Sequence, residues 1–123
     1  MPKVLVVDDS GLARRRARSI LEGAGFEVLE AEDGMAAIER YFVARPDVVL
    51  LDLVMRGMYG LDVLSKLREL DPEAKVIVVT ADVQTSSHEM VAAAGAAGFL
   101  VKPLDADEIV AMLNSTLSGV PLK

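Results

Sequence analysis

Side chains that could do chemistry follow four of the five short apolar runs in this 123-residue chain. Asp8 and Asp9 follow the first run, Asp52 the third, Thr80 the fourth and Lys102 the fifth. Three acids, a hydroxyl and an ammonium group could together hold a cation and a phosphoryl group. One aspartate after a strand is most often the N-cap of a helix. To explain all five residues without a shared site, a local role of this kind would have to apply separately at each position.

The three acids predict a cation. Carboxylates held close together repel one another, which raises a pKa or destabilises the fold unless a positive charge is present. The chain has no cysteine, so thiolate ligands, disulfides and cysteine nucleophiles are excluded. Oxygen ligands in a loose site favour Mg²⁺, which Mn²⁺ can replace. Lys102 would add positive charge and Thr80 a hydroxyl donor, which leaves Asp52 as the nucleophile.

These residues need a fold that brings the ends of several strands to one edge. Five runs have the composition of strands, namely residues 4–7, 26–31, 48–51, 76–79 and 99–101. Four of them are continuously apolar, as expected of strands buried on both faces, and helical periodicity separates the runs. The alternation predicts one α/β domain, a doubly wound parallel sheet with helices on both faces. Ligands bind such sheets at the carboxyl ends of the strands.

Composition restricts the classes of function. The chain has the length of one domain, and its hydrophobic fraction of 52% with only 4% aromatic residues predicts an aliphatic core. The net charge of −6 argues against direct nucleic-acid binding by this domain. Residues 4–7 end at two aspartates, unlike a secretory signal, and no apolar stretch reaches the roughly 18 residues of a membrane span. We therefore expect a cytoplasmic protein with no membrane partner.

Four motifs together resemble, in order and spacing, the pattern of response-regulator receiver domains of two-component signal transduction, the chemotaxis regulators among them. The motifs are VVDDS at 6–10, LDLVM at 51–55, VTA at 79–81 and VKP at 101–103. The resemblance covers essentially the whole chain, so we expect a receiver domain at 1–119 and a short tail at 120–123. It implies a flavodoxin-like (βα)5 domain whose sheet has the strand order 2-1-3-4-5.

The resemblance also implies a phosphorylation site with a metal ion. Asp52 would accept a phosphoryl group from a histidine kinase, a phosphotransfer protein or a small acyl phosphate. The magnesium ligands would be the carboxylates of Asp8 or Asp9 and of Asp52, together with the backbone carbonyl of Val54. Such a protein is a regulator and not an enzyme, although it promotes its own phosphorylation and dephosphorylation.

Further residues would form a switch. Thr80 and Lys102 would contact the phosphoryl oxygens, and the Lys102–Pro103 peptide bond is usually cis in the family. Phe99 stands where the family keeps an aromatic switch residue, and ordinary core packing is the alternative interpretation. Phosphorylation would draw Thr80 inward and shift Phe99. The face formed by the fourth helix, fifth strand and fifth helix would then bind an effector protein or output domain.

Some positions depart from the family pattern. Arg56 stands where proline is usual, and it could attract anionic phosphodonors or be a solvated surface residue. Val54 and Asp82 occupy positions that tune hydrolysis of the acyl phosphate in the family, and this sequence does not fix its lifetime. A basic cluster on the first helix has two interpretations as well, a solvated face or a docking surface for the kinase; its members are Arg14, Arg15, Arg16 and Arg18.

The sequence argues against three other classes of function. A haloacid-dehalogenase-type phosphohydrolase needs two acids separated by one residue after the first strand, whereas Asp8 and Asp9 are adjacent. A nucleotide-binding module needs a glycine-rich phosphate loop, and no such loop follows any of the runs. A degenerate receiver that only binds partners is disfavoured by the complete set of pocket residues.

Overall fold

The computed structural model describes residues 1–55, 58–81 and 85–118. The hypotheses for Arg56 and Asp82, the predicted domain boundary at residue 119 and the predicted tail at 120–123 lie outside these residues. Within the described ranges, no helix combines the length and the apolar character needed to cross a bilayer.

The described residues form seven strands. In chain order they are β1 (Lys3–Val7), β2 (Glu27–Ala31), β3 (Val48–Asp52), β4 (Val54–Met55), β5 (Met58–Tyr59), β6 (Val76–Thr80) and β7 (Gly98–Val101). Five of them form a parallel sheet of order β2-β1-β3-β6-β7. When only these five are counted along the chain, the order is the expected 2-1-3-4-5. The antiparallel hairpin of β4 and β5 was not predicted.

In the part of the chain that the structure describes, five helices cover this sheet. They are α1 (Gly11–Gly23), α2 (Gly34–Ala44), α3 (Gly60–Leu70), α4 (Thr85–Ala93) and α5 (Ala106–Ser118). Buried residues of α1 and α5 join one apolar cluster, and those of α2, α3 and α4 join a second cluster across the sheet. The two clusters confirm the predicted doubly wound α/β architecture.

The burial of the strands explains their composition. In β1, Val4 and Val6 point into the cluster beside α1 and α5, whereas Leu5 and Val7 point into the opposite cluster. A strand with a core on each face must be apolar at every position. The edge strand β2 instead has exposed Glu27 and half-buried Glu30, which accounts for its alternation with charge.

A close backbone contact sets the start of α3 beside the end of β3. The amide of Gly60 donates a hydrogen bond of 2.6 Å to the carbonyl oxygen of Leu53. A Cβ atom at residue 60 would lie 2.7 Å from the Leu53 Cα atom, closer than real contacts allow. Glycine therefore lets the helix begin directly against the backbone that follows Asp52.

Candidate functional site

The parallel register brings the polar strand ends to one edge of the sheet. Asp52 and Thr80 are the last residues of β3 and β6, and Asp8 and Lys102 directly follow β1 and β7. The Nζ atom of Lys102 donates a hydrogen bond to Oδ2 of Asp8 across a separation of 94 residues in sequence. The structure therefore brings together residues that the sequence analysis had grouped only by their positions after the runs.

An acidic cluster occupies this edge. One carboxylate oxygen from each of Asp8, Asp9 and Asp52 lies within 4.8 Å of the others. Asp8 and Asp52 are only 6% and 8% exposed, whereas Asp9 faces solvent. Mg²⁺ is bound by hard oxygen atoms at about 2.0–2.1 Å and usually keeps several waters. Three carboxylates, two buried and one open to solvent, fit that donor requirement.

Helix capping does not explain these acids. The N-cap of α1 is Ser10, whose hydroxyl accepts a hydrogen bond from the amide of Ala13 at 3.2 Å. The N-cap of α3 is Tyr59, which makes no side-chain capping bond. Asp8 instead accepts the amide of Ser10 at 2.9 Å, a bond that orders the loop in front of α1.

Lys102 supplies positive charge inside the pocket. Its Nζ atom lies 2.9 Å from Oδ2 of Asp8 and 3.6 Å from Oδ2 of Asp52. Burial lowers the pKa of Lys102, but the two carboxylates more than offset this and raise it above its usual value. The ammonium group is therefore held charged between two acids. The Lys102–Pro103 peptide bond is cis, the isomer that the resemblance implied.

The carboxyl group of Asp52 has a pKa well above its ordinary value. Burial raises its pKa, the neighbouring charge of Asp8 raises it further, and together they bring it to about 6. Lys102 and a hydrogen bond from the backbone amide of Val54 act in the opposite direction but do not cancel the increase. A carboxylate that is costly to ionise in this way is a candidate for a functional role.

The other predicted residues differ in their burial and surroundings. Thr80 is 2% exposed, and its carbonyl oxygen accepts the amide of Lys102 at 2.8 Å. The Val54 side chain is 63% exposed at the start of the hairpin. Phe99 is half-buried and packs against the apolar cluster of α2, α3 and α4, so a core role is visible while its switch role stays a prediction.

A cavity of about 390 Å³ joins the acids to the space beside α1. Asp8, Asp52 and Lys102 contribute to its walls, and apolar residues such as Leu12 and Leu104 form another part of them. The cavity therefore has room for a small polar group next to Asp52 and for an apolar group beside α1.

The basic cluster on α1 divides into two pairs. Arg14 and Arg18 each form a salt bridge with Glu30 of β2, at 3.0 and 2.8 Å. Arg15 and Arg16 are exposed. Glu30 was not predicted from the sequence, although an acid inside a strand and two arginines spaced one helical turn apart were an available signal. Of the four arginines, Arg15 and Arg16 have the exposure expected of a solvated face or of a docking surface.

Comparisons with a family model and with known proteins identify the same family. The family model described as the response regulator receiver domain matches residues 4–114. The chemotaxis protein CheY of Bacillus subtilis is 38% identical over 117 residues, which cover 94% of this chain and 98% of that protein. The nitrate/nitrite response regulator NarP of Escherichia coli is 39% identical over 119 residues, 95% of this chain but 55% of NarP.

A solved structure agrees with these matches. The chemotaxis protein CheY4 of Vibrio cholerae has a TM-score of 0.89 and 32% sequence identity to this chain. The alignment covers 95% of this chain and 99% of that one.

The pKa of Asp52 leads to a prediction about stability without divalent ions. Because the folded protein binds this proton more tightly than the unfolded chain does, stability is lost as the pH rises from about 4 to about 6. Asp52→Asn should therefore raise the free energy of unfolding by about 1–2 kcal/mol at pH 7.5 and by less at pH 4.5. Urea denaturation in the presence of a chelator measures both values.

The control for this measurement is Glu39→Gln, which should change the free energy of unfolding little and equally at both pH values. Glu39 is an exposed acid on α2. The contrary results are that Asp52→Asn raises the free energy of unfolding equally at both pH values, or lowers it at pH 7.5. Either result would show that ionising Asp52 does not destabilise the folded protein.

Proposed function

The chain belongs to the response-regulator receiver domain family, and on that premise we propose that Asp52 is the residue that carries the phosphoryl group. Members of this family related to chemotaxis regulators are phosphorylation-dependent switches of two-component signalling, and so is this chain. One observation supports the choice of Asp52. It is a buried carboxylate that shares one pocket with two further acids and an ammonium group.

In the proposed reaction, a carboxylate oxygen of Asp52 attacks the phosphorus atom of the donor. The donor is a phosphohistidine of a histidine kinase or phosphotransfer protein, or a small acyl phosphate. A new bond forms between phosphorus and the Asp52 oxygen while the bond to the donor nitrogen or oxygen breaks. The electron pair of that bond leaves with the donor group. Attack requires the ionised form of Asp52.

We propose that Asp8, Asp9, Asp52 and the backbone carbonyl of Val54 hold Mg²⁺, with Mn²⁺ as a replacement. When bound, the ion supplies positive charge that offsets the charges of the acids and of the phosphoryl oxygens. The separation of at most 4.8 Å between the acid oxygens supports this role. Lys102 would exchange its bond with Asp8 for a bond with a phosphoryl oxygen.

A second group of residues would transmit the change. Phosphorylation adds roughly −1.5 to −2 charges and new acceptor oxygens. In our proposal the Thr80 hydroxyl donates to one of these oxygens, and Phe99 then repacks on β7, the strand next to β6. The face formed by α4, β7 and α5 would change with it and bind the output partner.

The proposed partners follow from this chemistry. A histidine kinase or phosphotransfer protein would deliver the phosphoryl group in the cytoplasm, and an effector protein or an output domain would bind the phosphorylated form. The relatives include CheY, which this chain matches over nearly its full length, and NarP, which it matches over about half. Whether it acts as a separate protein or as part of a longer one, the chain would act as a regulator and not as an enzyme.

Incubation with acetyl phosphate tests the acceptor. We expect the intact mass of the protein to increase by one phosphoryl group in the presence of Mg²⁺, and the increase to disappear with a chelator or in Asp52→Asn. Asp47→Asn, which removes an acid at the other end of β3, should be phosphorylated normally. An adduct of the same yield in Asp52→Asn would assign the phosphoryl group to another residue.

Amide NMR spectra test the switch. Phosphorylation should move the resonances of Phe99 and Val101 and of residues in α5, while those of α2, which packs mainly against α3, β2 and β1, stay in place. Phe99→Leu keeps an apolar side chain but removes the ring, so it should reduce the shifts in α5 when equal phosphorylated fractions are compared. Shifts confined to the loops around Asp52, in both proteins, would exclude a switch through Phe99.

A further inference from the structure

Arg14 connects α1 to the loop that carries two of the acids. Its Nη1 atom donates a hydrogen bond of 2.6 Å to the backbone carbonyl of Asp8. Its Nε atom donates to Oε1 of Glu30 at 3.0 Å. The Arg14 side chain is only 17% exposed, so it lies against the protein and does not extend into solvent as Arg15 does.

Glu30 is held in place from its other side. Its second oxygen, Oε2, accepts a hydrogen bond of 2.8 Å from Nε of Arg18. Arg18 in turn donates to the carbonyl of Val28 at 3.2 Å and forms a salt bridge with Glu22 at 3.1 Å. Burial raises the pKa of Glu30, but the bonds from Arg18 and Arg14 lower it below its usual value, so the acid stays ionised. Glu30 is therefore an anchored acceptor for Arg14.

The bond from Arg14 reaches the residue whose side chain belongs to the acidic cluster. The backbone of Asp8 is fixed at its amide by a bond of 3.2 Å to the carbonyl of Ala31 and at its carbonyl by Arg14. Its carboxylate is fixed by the amide of Ser10 and by Lys102. Among these contacts, the bond to Lys102 is the one that phosphorylation would break in the mechanism proposed above.

We propose that Arg14 is a positioning residue, which holds the Asp8–Asp9 loop in the geometry needed to bind a divalent cation and does so through Glu30. This role rests on the proposed function, since it presumes that the acids bind a metal. Arg14 does not contact the metal or the phosphoryl group. It fixes the backbone from which the acidic side chains extend, as the outer partners of metal ligands do in other sites.

The charge of Arg14 by itself predicts the opposite effect. A positive charge close to a cation site repels the cation, so removing it would strengthen Mg²⁺ binding. If Arg14 acts by holding the loop, its removal weakens Mg²⁺ binding instead. The sign of the change in Mg²⁺ affinity therefore shows whether Arg14 acts by holding the loop or only through its charge.

The experiment compares Arg14→Gln with Arg15→Gln, which removes the same charge from the exposed neighbour. Calorimetry gives the Mg²⁺ dissociation constant, and hydrogen exchange of the metal-free proteins gives the protection of the Asp8 and Ser10 amides. In Arg14→Gln we expect about tenfold weaker Mg²⁺ binding and at least several-fold faster exchange at these two amides. In Arg15→Gln we expect no weakening of binding and unchanged exchange.

Several results would overturn the proposal. Unchanged exchange in Arg14→Gln would mean that the loop does not depend on Arg14, and unchanged or tighter Mg²⁺ binding would mean that the effect does not reach the cation site. If Arg14→Gln does not fold, Glu30→Gln is compared with Glu22→Gln on the same two measurements. Glu22 contacts Arg18 and not Arg14, so only Glu30→Gln should loosen the loop.

Failure of this inference can be told apart from failure of the proposed function. Phosphorylation of the wild-type protein at Asp52 is read by mass and does not depend on the role of Arg14. Hydrogen exchange is measured without metal and reports on the loop even if Mg²⁺ were not the physiological ion.

Discussion

Repulsion among three carboxylates at one edge of a buried sheet is the physical constraint on which the site depends. The strands are apolar on both faces and run in parallel, so their carboxyl ends cannot separate without exposing the core. Asp8 and Asp52, which are almost fully buried, are therefore held close together in the wall of the cavity. Lys102 balances only part of their charge. Burial and the remaining negative charge together raise the pKa of Asp52, and in the function proposed above a divalent cation would neutralise the excess charge.

The rest of the molecule keeps these groups from relaxing apart. Gly60 allows α3 to start against the backbone after Asp52, Ser10 caps α1, and Arg14 ties the loop of Asp8 to Glu30 on the edge strand. Each contact holds the backbone in or next to the acidic cluster. A site with excess negative charge can respond when a cation or a phosphoryl group changes that charge, which suits a two-state switch.

The sequence predicted the fold and the gathering of the acids because both depend on patterns that are local in the chain. Continuous apolar runs reveal buried parallel strands, and the residue after each run is then known to lie at the ligand edge. The hairpin of β4 and β5 was missed because strands of two residues have no periodicity to detect. The ion pairs of Arg14 and Arg18 with Glu30 were missed because they join separate elements. Phe99 stayed ambiguous because a half-buried ring packs in the core whether or not it switches.

A crystal structure with Mg²⁺ and beryllium fluoride, which mimics a phosphoryl group on a carboxylate, tests the central claim most directly. The account predicts a beryllium adduct on Asp52 and a single ion bound by Asp52 and by Asp8 or Asp9. It also predicts that Nζ of Lys102 leaves Oδ2 of Asp8, now 2.9 Å away, for a fluorine atom. An ion bound away from these acids, or an adduct on another residue, would contradict the account.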